Sequence, residues 1–518
     1  MKLAVRRGDL TALTRALEGM AAPPGPSRTR LVSTYYDTAE RVLARHSLTL
    51  RVRKAGGRYI QTIKSAGKAA GANGGSMLGR GEWEDEVAGE RPDPGAAQTG
   101  QFLPPGIGER LLPVFCTKVV RLAIPLAPAP DIRIEAAIDR GNIRVAERDR
   151  AEPIREIELE LLDGPATALY DVALKLLEIA PIRLEPRSKS ERGYRLSARA
   201  RKPARAMHYG GVGLDAEASG EVVLRGVGRA CVTQLLGSEA AALAGKAEGI
   251  HQMRVALRRL RAILSAFGML IPKERRSSLD AELRWLTGAL GAARNLDVFA
   301  GDLIAPVKKG EIDGPALARL GKAAERRRRT AHATARRAIR STRYTALLLK
   351  LMRWFDGSLW RGQPGEQSDE RLGWPVRAIA PVLLDRRRSK ARKRSHGFAE
   401  QSPEQRHKLR ISLKKLRYTT ELFAGLYDAD ETRQFTDWLK RLQDKLGVAN
   451  DLQNGRKLVA ELIPSRRRTP AMAQVGQRML AWHAHRVAKA EPKLHDQLRQ
   501  LCEAPPFWRA ADDRDAAD

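Results

Sequence analysis

The sequence predicts an α+β chain in two parts, an antiparallel β domain followed by an all-α domain that is internally duplicated. Three observations predict it. Polar and apolar residues alternate with period two over most of residues 31–160. From about Glu217 the period becomes helical, in segments dominated by Ala, Leu, Arg, Lys and Glu. Two stretches of this second part then recur at a single offset of 156 residues.

The β part shows its strands in residues 48–53, 59–64, 133–135 and 156–161, each with one apolar and one charged face. Loops are expected at residues 67–81, rich in Gly, and at 125–130, rich in Pro. Helices fit residues 10–20 and 166–179. The charged face carries both signs at successive positions, which suits either a solvated sheet surface or the lumen of a barrel. A linker is expected within 195–215, where a Gly-Gly pair and several basic residues show little hydrophobic periodicity. The expected division is 1–198, a linker at 199–215, a helical domain at 216–505 and a tail at 506–518.

The duplication is the most specific feature of the helical part. His251-Gln-Met-Arg-Val-Ala-Leu-Arg-Arg-Leu-Arg261 matches His407-Lys-Leu-Arg-Ile-Ser-Leu-Lys-Lys-Leu-Arg417, and Leu290-Gly-Ala-Ala-Arg-Asn-Leu-Asp297 matches Leu446-Gly-Val-Ala-Asn-Asp-Leu-Gln453 in the same register. At ~100° per residue, His251, Arg254, Arg258 and Arg261 share one helix face, as do His407, Arg410, Lys414 and Arg417. Met253, Leu257, Leu260, Leu264 and Phe267 form the adjacent stripe, matched by Leu409, Leu413, Leu416 and Phe423. Like charges at i,i+3 and i,i+4 cost a helix a few tenths of a kcal/mol per pair unless an anion offsets them. Their retention in both copies points to a bound polyanion rather than a merely solvated face. The basic runs at 325–329 and 386–394 suit solvated faces and further anion contacts equally well.

Charge supports that assignment and locates it. Lys+Arg number 93 against 60 Asp+Glu; residues 1–200 hold 32 and 25 of these, a net of +7, whereas the remainder holds 61 and 35, a net of +26. Polyanions are the natural partners, and net charge does not choose among polyphosphate, nucleic acid and an anionic membrane surface. Cys116, Cys231 and Cys502 are too dispersed for a zinc site or a disulfide framework. No apolar run suits a signal peptide or a membrane span, so a cytoplasmic protein is expected.

The paired His-headed helices resemble the CHAD family, the conserved-histidine α-helical domain, over about residues 217–505. That resemblance implies two similar bundles about a pseudo-twofold axis, with basic faces converging on a pore or groove that holds inorganic polyphosphate. A chain that binds without catalysis would then be targeted to polyphosphate granules. The ligands it implies are His251, Arg254, Arg258, Arg261, His407, Arg410, Lys414 and Arg417, with Arg259 and Lys415 flanking. Arginine grips phosphate oxygens bidentately, lysine adds point charge, and a histidine beside the anion gains a raised pKa. Nucleic acid is disfavoured as a partner because Tyr418 adjoins one stripe while its counterpart is Ala262, leaving no aromatic ladder for bases.

The first part is similar to the CYTH family, the triphosphate tunnel metalloenzymes, over about residues 1–198. The resemblance rests on Tyr35-Tyr-Asp-Thr38, Arg51-Val-Arg53, Gln61-Thr-Ile-Lys64, Phe115-Cys-Thr-Lys-Val-Val-Arg121, Asp139-Arg-Gly141, Glu156-Ile-Glu-Leu-Glu160 and Ser188-Lys-Ser-Glu-Arg-Gly-Tyr194. It implies an eight-stranded antiparallel tunnel in which Lys2, Arg51, Arg53, Lys64, Arg121 and Lys189 hold a triphosphate. Glu156, Glu158 and Glu160 would hold Mg²⁺ or Mn²⁺, hard cations suited to carboxylate and phosphate oxygen. The implied reaction is metal-assisted attack of water on a terminal phosphoryl group, as in an inorganic triphosphatase. The family's first strand reads Glu-x-Glu-x-Lys. Here Lys2 matches the lysine and neither glutamate precedes it, so two expectations stand: a degenerate phosphate binder, or a start upstream of Met1.

Overall fold

The computed structural model describes residues 1–65, 81–145, 149–198, 203–211, 213–307, 314–361, 370–463 and 470–509. They form two compact units, Met1–Pro203 and Ala204–Asp518. In the first, the strands are β1 (Lys2–Val5), β2 (Ser27–Asp37), β3 (Leu48–Ala55), β4 (Arg58–Ser65), β5 (Gly81–Val87), β6 (Leu112–Ala129), β7 (Ile132–Val145), β8 (Arg150–Asp163) and β9 (Ile182–Leu184). Its helices are α1 (Leu10–Glu18), α2 (Val42–Arg45), α3 (Thr167–Ile179) and α4 (Lys189–Ser197).

The strands form one sheet in the order β5-β4-β3-β2-β6-β7-β8-β1-β9, with every neighbouring pair antiparallel. Nine strands thus replace the expected eight. The extra one, β9, has three residues, too few to show an alternation in sequence. Among the described residues no ladder joins β5 to β9. The Pro-rich run is also not a loop, since β6 continues through Pro125 and Pro128. The β2 ladder ends at Ala123, and beyond it that edge of β6 carries only an isolated bridge from Leu126 to Ala21, with the Pro125 carbonyl accepting from Ala22, so proline's missing N–H is tolerated. Of the expected 67–81 loop, all but Gly81, the first residue of β5, lies outside the described residues.

Register fixes which side chains share a face. Lys2 lies opposite Glu158, Asp139 opposite both Arg121 and Glu156, Arg51 opposite Tyr35, and Lys64 opposite Glu82. The charged face is therefore one continuous surface. Part of it is apolar instead: Leu31, Tyr35, Phe115, Val119, Ile143 and Ile154 pack with Tyr194 of α4. Tyr35 stacks on Phe115 at 4.4 Å, and Tyr194 meets Phe115 edge-on at 5.4 Å.

The second unit comprises α5 (Gly220–Leu243), α6 (Ala247–Ala266), α7 (Lys273–Ala289), α8 (Gly291–Val298), α9 (Gly314–Arg340), α10 (Thr342–Asp356), α11 (Val376–Ser395), α12 (Pro403–Phe423), α13 (Ala429–Leu462) and α14 (Pro470–Glu503). The 156-residue offset relates whole helices: α5 starts at 220 and α11 at 376, α9 at 314 and α14 at 470. The His-headed helices are α6 and α12, and they pack on one another, with α5 against α6 and α11 against α12. Phe267 and its copy Phe423 approach to 6.4 Å, so residues related by the repeat meet at its centre. Part of the expected linker belongs to this unit. The Met207 amide donates to Ser238 Oγ of α5, and Ser238 Oγ donates back to the Met207 carbonyl.

Candidate functional site

In the sheet unit three carboxylates converge. Asp139, Glu156 and Glu158 each present an oxygen, all within 4.8 Å of one another, from the adjacent strands β7 and β8. Glu160, though in register with Glu156 and Glu158, is exposed at the far end of β8 opposite Glu135 and lies outside this group; Asp139 takes the place expected for it. Arg121 grips Asp139 bidentately at 2.8 and 2.7 Å and reaches Glu158 Oε2 at 2.5 Å. Lys189 Nζ lies 2.7 Å from Asp139, 2.5 Å from Glu156 and 2.9 Å from Glu158. Burial alone would raise the Glu158 pKa, but Lys189, Arg121 and Lys2 outweigh it and hold this carboxyl well below its ordinary range. The opposite holds for Lys189, where burial is overcome by Glu158, Asp139 and Glu156 and the ammonium is held above its usual range.

The stretch from Ser188 to Tyr194 divides into separate tasks. Ser188 and Glu191 form a reciprocal capping box that starts α4. Lys189 reaches the carboxylates, while Arg192 donates to Glu156 at 2.8 Å, Glu152 at 2.8 Å and the Pro153 carbonyl at 2.7 Å. Gly193 seats the helix on the sheet, because a Cβ there would lie 2.1 Å from the Phe115 ring. Asp37 of the Tyr-Tyr-Asp-Thr motif is structural: its buried carboxylate accepts from the amides of Thr38, Leu43 and Ala44 and so starts α2.

Strand β5 supplies partners that period-two reading did not single out. Lys64 pairs with Glu82 at 2.6 Å, and Arg51 reaches Glu82 at 3.2 Å and Glu84 at 3.5 Å. Arg53 donates to Ser33 Oγ at 3.2 Å; burial, then neighbouring Arg51, lowers its pKa to about 10. Lys2 donates to the Arg187 carbonyl at 3.4 Å. The six expected phosphate-holding cations therefore lie over one face of the sheet, and Arg51, Lys64, Arg121 and Lys189 are paired with acids. Beside the expected Glu156 and Glu158, these acids are Glu82, Glu84 and Asp139, legible only as alternating or motif residues.

The donor set fits a hard divalent cation. Three carboxylates offer oxygen at close quarters, and buried Glu156 Oε1 takes no hydrogen bond beyond its ion pair with Lys189.

In the helical unit the cations lack such partners. Among the described residues Arg258, Arg410 and Lys414 make no hydrogen bond or ion pair to protein, and Arg258 Nε and Arg410 Nε are buried orphans. Burial, then Arg258 and Arg410, depress the Lys414 pKa to about 6, so one residue of the first copy faces two of the second. Arg254, lowered to about 10 by burial and then Arg258, donates to the Thr287 carbonyl at 2.7 Å. His251 is half-buried and lowered by burial and then Arg294, whereas His407 is exposed. The second repeated motif serves the first: a Cβ on Gly291 would meet Arg254 Nη1 at 3.5 Å, and one on Gly447 would meet Arg410 Nη2 at 3.3 Å.

The other expected ligands are placed differently. Arg417 bonds Glu421 at 2.6 Å and Gln443 at 3.1 Å. Arg259 pairs with Glu421 at 3.1 Å and lies over the Tyr209 ring at 3.9 Å, so it braces the fold rather than awaiting a ligand. Lys415 donates to Ser265 at 3.1 Å, and Arg261 stands beside Lys415 rather than beside Lys414. Tyr418 is buried beneath Arg259 and Arg417, which removes it as a base-stacking platform. No helix among the described residues is long and apolar enough to cross a membrane.

Comparison with known proteins agrees with this division. The family model of the CYTH domain matches residues 2–194 and that of the CHAD domain residues 226–460. An inorganic triphosphatase of Haemophilus influenzae is 31% identical over 173 residues, 33% of this chain and 46% of that protein, so the match spans less than half of that relative. The CHAD domain from the plant Ricinus communis is 26% identical with a TM-score of 0.48, covering 60% of this chain and 99% of that one. PptA from Streptomyces chartreusis gives 20% and 0.41, with 55% and 99% covered. A Hippeastrum protein, whose structure is described as revealing a dominant triphosphatase activity, gives 16% and 0.28, with 38% and 93% covered.

Proposed function

We propose that this chain, a CYTH domain followed by a CHAD domain, hydrolyses inorganic triphosphate in its sheet domain and binds polyphosphate through its helical domain. Supporting the first activity is the group of Asp139, Glu156 and Glu158 ringed by Lys189, Arg121 and Lys2. The three carboxylates would hold Mg²⁺ or Mn²⁺, which when bound supplies neutralisation of phosphoryl charge. Arg51, Arg53, Lys64, Arg121, Lys189 and Lys2 would orient the triphosphate along the charged face. Arg192 keeps Glu156 in place from behind.

Phosphate release from tripolyphosphate with Mg²⁺ or Mn²⁺ tests this reading, with Glu158→Ala expected to lose the activity. Equal rates in parent and variant would sink the carboxylate assignment. One observation favours a second reading, in which the sheet domain binds without catalysis: Lys189 and Arg121 already neutralise the carboxylates. Absence of metal-dependent hydrolysis in the parent would select it.

Polyphosphate binding is supported by the unpartnered Arg258, Arg410 and Lys414, since desolvated like charges gain most from an oxyanion. An Arg254→Glu, Arg410→Glu double variant is expected to stay folded and lose polyphosphate binding. Displacement of polyphosphate by duplex DNA at equal phosphate concentration would refute the ligand. Association with cytoplasmic polyphosphate granules belongs to the same reading, and loss of granule localisation in the double variant would be its cellular counterpart.

A further inference from the structure

The two copies of the helical repeat differ most where α5 and α11 flank the His-headed helices. At the 156-residue offset, Cys231, Gln234 and Ser238 of α5 correspond to Arg387, Lys390 and Arg394 of α11. Arg259 of the first copy corresponds to Lys415, and Glu421 of the second to Ser265. The surroundings of α5 thus gather one arginine and, from the second copy, one glutamate, whereas the equivalent positions around α11 gather four cations and no acid.

The first set is satisfied internally. Gln234 donates to Gln252 at 2.9 Å, Ser238 bonds the Met207 backbone, and Arg259 pairs with Glu421 beneath Tyr209. In the second, only neutral acceptors are met, as where Lys415 donates to Ser265 Oγ at 3.1 Å. Arg387 is only 7% exposed, yet among the described residues its guanidinium has neither hydrogen bond nor ion pair. Lys390 is exposed beside it without an acid partner. Arg394 is pinned to α12 by neutral acceptors, Ser412 Oγ at 2.7 Å and the Lys408 carbonyl at 3.0 Å. Burial, then Arg387, Lys390, Arg261 and Arg394, push the Lys415 pKa down to about 8, so the charges acting most strongly on it are positive.

We infer that Arg387, Lys390, Arg394 and Lys415 form a second oxyanion site, present in one copy of the repeat only, that takes a further stretch of a polyphosphate chain. It rests on the polyphosphate reading of the helical domain and sharpens it, because the bound chain would then contact the two copies unequally. A mostly buried arginine grouped with three further cations and no acid is the feature that favours a ligand, since like charges held together gain most from an oxyanion. The first copy has no such residue at that place, so symmetry does not explain the cluster.

The test measures affinity of the full-length protein for long-chain polyphosphate across a salt series. Lys390→Glu, which is exposed and leaves the core intact, is expected to weaken binding by roughly tenfold and to lower the slope against log salt by about one. Arg387→Gln should act in the same direction. Arg329→Glu on α9, where the arginine is exposed and paired with Glu325, serves as the comparison for general charge and should change little. Parent affinity and slope in both α11 variants, or equal damage from Arg329→Glu, would overturn the inference while leaving the central site standing. Failure of the parent to bind polyphosphate would overturn both.

Discussion

The sheet domain and the helical domain both gather cations, but the first pairs its central ones with acids and the second leaves three of its own unpaired. Lys189, Arg121, Lys64 and Arg51 are each paired with carboxylates of neighbouring strands. Arg258, Arg410 and Lys414 face one another instead, with Asp451 the first acid to act on Lys414 and on Arg410. A neutralised site is stable empty and exchanges partners when a ligand enters. An uncompensated one is strained until an anion arrives. The same residue types thus carry opposite energetic signs in the two halves, and removing a cation should harm one fold and relieve the other.

The sharpest way to break that contrast is Lys189→Ala. It leaves three carboxylates facing one another, and the sheet domain should lose about 3–5 kcal/mol, the usual consequence of removing one partner from a buried ion cluster. Without the ammonium the Glu158 pKa rises from its depressed position, so the loss should be greatest near neutral pH and recover on acidification as a carboxyl takes up a proton. Added Mg²⁺ or Mn²⁺ should restore it as well. Calorimetric melting in chelator and in metal reads both effects, and a variant melting like the parent in chelator would show that the cluster does not depend on its lysine.

The converse experiment is Arg258→Gln with Lys414→Gln. Melting of the helical domain without anion should rise, by on the order of 1 kcal/mol, as the burial and neighbouring charge that depress Lys414 no longer act against folding, while polyphosphate affinity falls at least about tenfold. A lower melting temperature would mean these cations support the fold after all.

Protons sharpen the comparison further. Lys414, at about 6 in the free protein, is mostly neutral at pH 7, and His251 is likewise held below its ordinary value. An oxyanion raises both, so binding takes up protons. Affinity should therefore fall as pH rises from about 6, and titration calorimetry in buffers of different ionisation enthalpy should register the uptake. Heats that do not vary with buffer would contradict it. The smallest effect is expected from Gly447→Ala, whose methyl would press on Arg410: a loss of affinity of about threefold by the scale of modest overpacking. Gly291→Ala, with ordinary contact distance to Arg254, should do less.

Much of this was legible in the sequence because it is periodic. The 156-residue register identified the His-headed helices, and alternation identified the charged sheet face. What periodicity shows is which residues share a face, not which of them touch. Asp139 stood in a recognised motif, yet its convergence with Glu156 and Glu158 depends on the β7–β8 register. Glu82 and Glu84 alternate visibly, but their pairing with Lys64 and Arg51 required the strand order. Arg259 and Lys415 looked equivalent by repeat; only the packing of Glu421 and Tyr209 shows the first engaged. The basic run at 386–394 is visible in the sequence, but that its counterparts of Cys231, Gln234 and Ser238 stand without acid partners follows only from the packing of α11 on α12.

Phe267 with Phe423 and Arg258 with Lys414 are positions that meet their own copies. Two separate, identical chains joined about a twofold axis would bring every such residue against itself. Any substitution there would act on both sides at once, and a histidine-headed helix could not become more basic on one flank alone. Covalent fusion removes that constraint. Each side of the axis can then be changed independently, and a self-matching surface can acquire a direction.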